Sequence, residues 1–203
     1  MTYTPELAVK LSGATPFQLA KWRRTGLLVP EVHSGRPPIY SFRDVVALRA
    51  MVFLRAKTSA QKLRAAWGNL DMVAVADHPS EFIFGTDGKR IFVKTPDGDV
   101  VDLTRKPGHL VGEYSFEELF AEFNNFRGNA VVPFERPAPY LFVSPRTLGG
   151  YPVIAGTRVP FDTIAQLVDD ETVFAEDIPE MFPRVSVEAA RDAVAFSRSL
   201  EAV

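Results

Sequence analysis

The sequence predicts an α+β protein, mainly helical, in three parts. These are an N-terminal winged helix-turn-helix, a short antiparallel β meander and a C-terminal three-helix module that is itself helix-turn-helix-like. Three observations carry the prediction. Thr4-Pro5 and Thr15-Pro16 are two helix starts, closed by Gly13 and Gly26. Asp87-Gly88 and Asp97-Gly98 separate short β-type runs, and such dipeptides are strong hairpin signals. The C-terminal stretch then sets glycine- and proline-marked loops between helical apolar patterns. The boundaries expected are 1–72, 73–139 and 140–203.

Charge divides the chain the same way. Residues 1–70 carry eleven Lys and Arg against three acids, Glu6, Glu31 and Asp44. The rest carries twelve against twenty-two, and the whole sums to −2. A basic module joined to an acidic one points to a polyanion, by default nucleic acid, for the first part alone. Apolar residues make up 46% and charged residues 24% of the 203, an ordinary globular balance. There is no cysteine, which excludes disulfides and thiolate sites and fits a reducing cytoplasm. The N-terminal residues show no leader pattern and no apolar run reaches the length of a membrane span. A cytoplasmic protein without membrane contact is expected. His33, His78 and His109 lie far apart beside loop signals, so they are expected at the surface, with no metal and no cofactor.

The elements follow in order. Thr4 caps and Pro5 opens a first helix, with Glu6 at its positive end and Leu7, Ala8 and Leu11 as its apolar stripe. Thr15-Pro16 opens a second, short helix with Leu19 and Trp22 inward, and Trp22 is expected in the core. Two short helices joined so tightly form a helix-turn-helix. Residues 27–30 and 38–40 flank the polar tip His33-Ser34-Gly35-Arg36 and read as a wing. Ser41 with Asp44 resembles a capping box, with Asp in place of the usual Glu or Gln. The next helix places Val45, Leu48, Val52 and Phe53 inward and Arg43, Arg49 and Arg55 elsewhere. Another is expected from Ser59 to Leu70.

These residues carry a family resemblance. Tyr3-Thr4 with Leu7-Ala8, then Trp22-Arg-Arg-Thr-Gly-Leu-Leu-Val-Pro30, then Tyr40-Ser-Phe-Arg-Asp-Val-Val-Ala-Leu48 resemble, in order and spacing, the winged helix-turn-helix of MerR-type regulators. The chain departs from that pattern at Ala20 and Lys21, where many such helices carry Arg and Tyr. It also lacks the long coiled-coil helix, because Pro79 closes the segment after Leu70 and no heptads follow.

In the middle, residues 81–84, 90–93 and 100–103 read as a three-stranded meander. Ser115 and Glu118 form a capping box, and Phe116, Leu119, Phe120, Phe123 and Phe126 then fall at helical spacing up to Gly128. That stripe predicts a helix whose aromatic face is core or a partner surface. Pro133, Pro137 and Pro139 lead into the apolar run 140–143, a linker ending in an edge strand.

The C-terminal module opens on Gly150-Tyr-Pro-Val-Ile-Ala-Gly156-Thr157-Arg158-Val159-Pro160. A helix is expected after Pro160 with Phe161, Ile164, Leu167 and Val168 inward, a second near 173–181, and a third from Ser186 with Val187, Ala190, Val194 and Phe196 inward. The Gly150-to-Pro160 string resembles the hallmark of the bacterial "domain of unknown function 433". Proteins of that family are commonly antitoxins of type II toxin–antitoxin pairs with a PIN-type ribonuclease as partner. A MerR-like reader joined to this module is similar to VapB-type antitoxins. The resemblance implies an antitoxin that neutralises a PIN-type toxin and represses its own operon. The alternatives are a stand-alone MerR-like regulator and a protein-interaction adaptor.

From Pro145 onward there are five Arg and ten acids, so this module is expected to meet protein or pair subunits rather than bind phosphate. Gly156, Thr157 and Arg158 are candidates for toxin contact or for holding the loop. For Arg158 the bland role is a guanidinium satisfying loop carbonyls or Asp162. The sharp one is bidentate pairing with the carboxylates that hold Mg²⁺ in a PIN-type nuclease. No serine-hydrolase elbow, P-loop or His-Glu-x-x-His motif is present, so no enzyme is expected. The DNA surface is expected to comprise Thr15, Gln18, Lys21 and Arg24 on the second helix, His33 and Arg36 on the wing, and Arg23 and Arg43 on phosphate. A homodimer on an inverted repeat in its own promoter is expected, since a single short helix-turn-helix offers few contacts.

Overall fold

The computed structural model of the protein describes residues 1–70, 78–81, 83–94, 98–104 and 119–202. Helix α1 (Pro5–Ser12) starts where Thr4 Oγ1 accepts the Leu7 N–H at 3.3 Å, with Pro5 in the first turn. Gly13, at φ +74°, ends it in the left-handed region. Helix α2 (Pro16–Arg24) opens with a full capping box between Thr15 and Gln18. Helix α3 (Phe42–Lys57) does the same with Ser41 and Asp44, so the shorter Asp serves. Helix α4 (Ala60–Gly68) is capped by Ser59.

The wing is smaller than its sequence suggests. His33 and Ile39 exchange one bridge, with N···O distances of 3.1 and 2.8 Å, and Tyr40 pairs with Tyr3 instead. Residues 27 and 28 donate to the Trp22 carbonyl and so leave the helix rather than form a strand. Pro30, Pro37 and Pro38 have no N–H to extend a ladder.

The meander is as expected: β1 (Ile83–Thr86), β2 (Ile91–Lys94) and β3 (Val100–Asp102) pair antiparallel in order. It rests on α4 through stacking of Trp67 on Phe84 at 4.8 Å.

The predicted aromatic helix departs from the structure. Its start, including the Ser115–Glu118 box and Phe116, lies outside the described residues. Residues 120–126 are not a helix. Instead β4 (Phe123–Asn124) pairs with β5 (Ala130–Val131) across a turn that uses Gly128 at φ +81°. The cause is Arg49. It was expected away from the core, yet it is 0% exposed, and its guanidinium takes the carbonyls of Leu119, Leu11, Ala121 and Val132 at 2.6 to 2.9 Å. In a continuous helix residues 119 and 121 lie about 200° apart around the axis, so one planar guanidinium could not take both carbonyls. Phe123 and Phe134 flank the guanidinium at 5.1 and 5.4 Å. Burial pulls the Arg49 pKa down to about 9, so it stays charged at neutral pH.

The C-terminal module holds the hairpin β6 (Leu141–Phe142) with β7 (Val153–Ile154), then α5 (Phe161–Leu167), α6 (Ile178–Met181) and α7 (Val187–Glu201). The second helix is only the four residues of α6. The stretch before it is tied into turns by Asp169, which accepts three backbone N–H groups, and by Asp177. Helix α7 packs on α5, with Phe161 edge-on to Phe196 at 5.0 Å. It also reaches α1, where the Lys10 ammonium lies 6.0 Å from the Phe196 ring. One apolar cluster runs through all parts, from Leu7, Leu48 and Met51 through Phe84 and Ile91 to Phe161, Ile164 and Ala190.

Candidate nucleic-acid interface

Helix α2 buries Leu19 and Trp22, which turns Phe17, Ala20 and Arg24 outward. Lys21 is half-buried at the edge of this face, its ammonium 5.9 Å from the Phe17 ring. Phe17 was absent from the expected surface, although it is 65% exposed. Its spacing to Lys21 and Arg24 is the helical i, i+4, i+7, so an outward periodicity was there to find.

Other predicted DNA residues take up structural bonds. Thr15 Oγ1 accepts the Gln18 N–H at 3.1 Å and Gln18 Oε1 accepts the Thr15 N–H at 2.8 Å. Gln18 therefore reaches no base without releasing its cap. Arg23 Nη1 donates to the carbonyls of Ser34 and Gly35 at 3.2 and 2.5 Å, which ties α2 to the wing tip. His33 and Arg36 stand exposed at that tip, where the His33 ring lies over Gly35. Arg43 faces Glu31 at 3.9 Å near the start of α3.

On the other flank of α2 a groove opens between α2, the end of α3, α4 and the β4–β5 turn. It is lined by Lys21, Arg55, Arg64 and Arg127 together with Phe17 and Phe126, and among the described residues none that lines it is acidic. Such a run of cations with aromatics suits a phosphate backbone.

Two further predictions can be placed. His33 lies at the surface, but His78 does not, and His109 falls outside the described residues. His78 is 7% exposed, with Nδ1 against Ser80 and Nε2 3.4 Å from Asp44 Oδ1. Glu31, Asp44 and His78 bring three ligand-type atoms within 4.8 Å of one another. Their atoms are already engaged: Asp44 Oδ2 accepts the N–H groups of Glu31 and Ser41 at 3.0 and 2.7 Å, and Glu31 Oε2 accepts the Ser41 hydroxyl at 2.7 Å. The cluster locks the residue 31 loop to the start of α3.

In the C-terminal loop, Gly156 turns at φ +76° and Thr157 Oγ1 bonds the Ile154 carbonyl at 2.9 Å. Arg184, not Arg158, holds the Gly156 carbonyl, at 3.1 Å. Asp162 accepts the Tyr151 hydroxyl at 2.7 Å. Arg158 points outward and makes no hydrogen bond or ion pair among the described residues. The loop-holding role expected for it is filled by others.

Residues 143–197 match the family described as "Protein of unknown function (DUF433)". The chain is also similar to the uncharacterised HTH-type transcriptional regulator Rv1830 of Mycobacterium tuberculosis, at 32% identity over 106 residues, and equally to Mb1861 of Mycobacterium bovis. These alignments take in 50% of this chain and 47% of each relative, so the chain spans about half the length of the curated relatives it matches. In fold it resembles the crystal structure of Rv2018 from Mycobacterium tuberculosis, with a TM-score of 0.54 and 16% identity over 95% of this chain and 96% of that one. Among the described residues no helix is long and apolar enough to cross a membrane.

Proposed function

We propose that the protein is a DNA-binding transcription regulator that inserts α2 into the major groove of double-stranded DNA. The observation that carries this is the outward face of α2, where Phe17, Lys21 and Arg24 stand beside a groove lined by cations on a helix-turn-helix. The names of the mycobacterial relatives support the same reading. It assigns the protein no reaction. Lys21 reads a base edge, and Arg24 and Arg36 meet phosphate. A duplex from upstream of its own coding region, a random duplex and a salt series test this. Lys21→Ala is expected to cost roughly 1–3 kcal/mol on the upstream duplex and little on the random one. Equal loss on both would refute base readout by Lys21. Wild-type protein that prefers neither duplex would refute the regulator.

The finer reading is an antitoxin: a MerR-like reader that binds as a homodimer to an inverted repeat in its own promoter and neutralises a PIN-type ribonuclease through its acidic C-terminal module. One observation favours it. Arg158, inside the segment that matches DUF433, stands exposed and unpaired while its neighbours hold the loop. A free guanidinium is placed to fork onto a carboxylate cluster. The protein purified at native expression should bring down a small nuclease with clustered carboxylates. Arg158→Ala should then stay folded, since its side chain is outside the core, and inhibit that nuclease less. Undiminished inhibition would remove Arg158 from the role. Recovery of the protein alone on its promoter would favour a stand-alone regulator in a reducing cytoplasm.

A further inference from the structure

The β4–β5 hairpin lies more than a hundred residues from α2 in sequence, yet its turn lines the same groove. Asn125 builds that turn: its Oδ1 accepts the N–H groups of Arg127 and Asn129 at 2.9 and 3.1 Å, and its backbone N–H donates to the Asn129 carbonyl at 2.9 Å. Asn125 Nδ2 also donates to the Gly13 carbonyl at 3.4 Å, in the link between α1 and α2. Val131 sits so close to Gly13 that a Cβ there would meet it at 2.3 Å. Phe123 stands edge-on to Phe53 of α3 at 5.2 Å. The turn is therefore bolted to the helix-turn-helix at three points, and its position beside α2 is set by the core.

At the tip of that turn Phe126 is 40% exposed. The guanidinium groups of Arg55 and Arg127 lie over its ring, at 4.9 and 5.6 Å from the centroid. Stacking on a ring holds each guanidinium flat and weakly hydrated, which favours contact with phosphate. Arg55 is further held by the Thr58 carbonyl at 2.9 Å, whereas Arg127 is exposed at the rim. An anion that runs along the whole groove meets Lys21, Arg64 and Arg127.

We propose that the β4–β5 hairpin is a second DNA-contacting element, in which Arg127, backed by Phe126, binds the phosphate backbone of the duplex that α2 reads. This rests on the regulator reading above. It extends the interface beyond the helix-turn-helix to a segment expected to be a helix with a buried or partner-facing stripe.

Fluorescence anisotropy on the upstream and random duplexes across salt tests it. Arg127→Ala is expected to weaken both duplexes about eightfold at 0.1 M salt and to lower the slope of log affinity against log salt by about one, the share of one released counterion. Arg127→Lys should restore most of that slope, because it returns the charge. Phe126→Leu, which keeps an apolar side chain but removes the ring, should weaken both duplexes by a smaller, equal factor. Unchanged affinity and slope for Arg127→Ala, with Arg24→Ala weakened in the same assay, would overturn the hairpin contact and leave the regulator standing. A loss confined to the upstream duplex would also overturn it, since phosphate contacts carry no sequence. No binding by the wild type would end both.

Discussion

Replacing Arg49 by Met is expected to lower the unfolding free energy by about 3–5 kcal/mol, a large part of what holds a domain of this size. Met fills much of the same volume, so the loss reports on the polar contacts rather than on a cavity. Without the guanidinium, the carbonyls of Leu119 and Leu11 lose this donor in the core, and those of Ala121 and Val132 lose it at the edge of the core. Each orphaned buried acceptor carries a desolvation penalty of about 1–3 kcal/mol. Partial relaxation at the half-buried end, near Ala121 and Val132, keeps the total below the sum. Arg49→Lys should recover only a fraction, because an ammonium cannot reach carbonyls spread around a planar fork. Urea unfolding of the three proteins measures this. A cost under about 1 kcal/mol for Arg49→Met would mean that the four bonds do little against the desolvation of the charge. The same variant should loosen the β4–β5 hairpin first, since two of the four carbonyls flank it.

The second large effect is expected at Gly150, the opening glycine of the 150–160 string. It lies at φ +86°, and a Cβ there would stand 2.0 Å from the ring of Phe42, the first residue of α3. Phe42 is itself packed against Phe134, with ring centroids 5.9 Å apart. An alanine therefore meets both a left-handed backbone, at about 1–2 kcal/mol, and an overpacked contact, at about 1–3 kcal/mol. Gly150→Ala should cost about 2–5 kcal/mol in total. Gly149 is the control: it also has positive φ, at +63°, but among the described residues nothing lies within 4 Å of an added Cβ. Gly149→Ala should cost only the backbone share, about 1–2 kcal/mol. Equal losses at the two glycines, read from their unfolding midpoints, would remove the close approach to Phe42 as the reason for a glycine at 150.

Both residues join segments far apart in the chain, which explains what could be read in advance. Capping boxes at Thr15–Gln18 and Ser41–Asp44, the stop at Gly13 and the Asp87-Gly88 hairpin depend on contacts within a few residues, and all were visible as local patterns. The inward set of α2 was visible for the same reason. Its outward set was read only in part. Gln18 looked free for DNA because a capping side chain and a base-reading side chain are the same residue type. Phe17 was passed over because an aromatic residue is ordinarily assigned to the core.

The aromatic stripe after residue 118 shows the limit most clearly. Leu119, Phe120, Phe123 and Phe126 do recur at helical spacing, but one guanidinium 70 and 72 positions away takes the carbonyls of Leu119 and Ala121, which a helix would set on opposite sides of its axis. Likewise nothing near His78 in sequence announces Asp44, 34 residues earlier.

By itself, then, the sequence determined the mainly helical α+β class, the starts of α1 to α4 and the stop of α1, the meander, the basic first part and the acidic last part. These follow from capping, turn chemistry, periodicity and charge, which act over a few residues or over the whole composition. Tertiary structure alone decided that Arg49 is buried, that residues 123–131 form a hairpin, that this hairpin stands beside α2, and that Arg158 is left free. Those outcomes hang on which distant carbonyl or ring reaches a side chain first, and no local pattern encodes that distance.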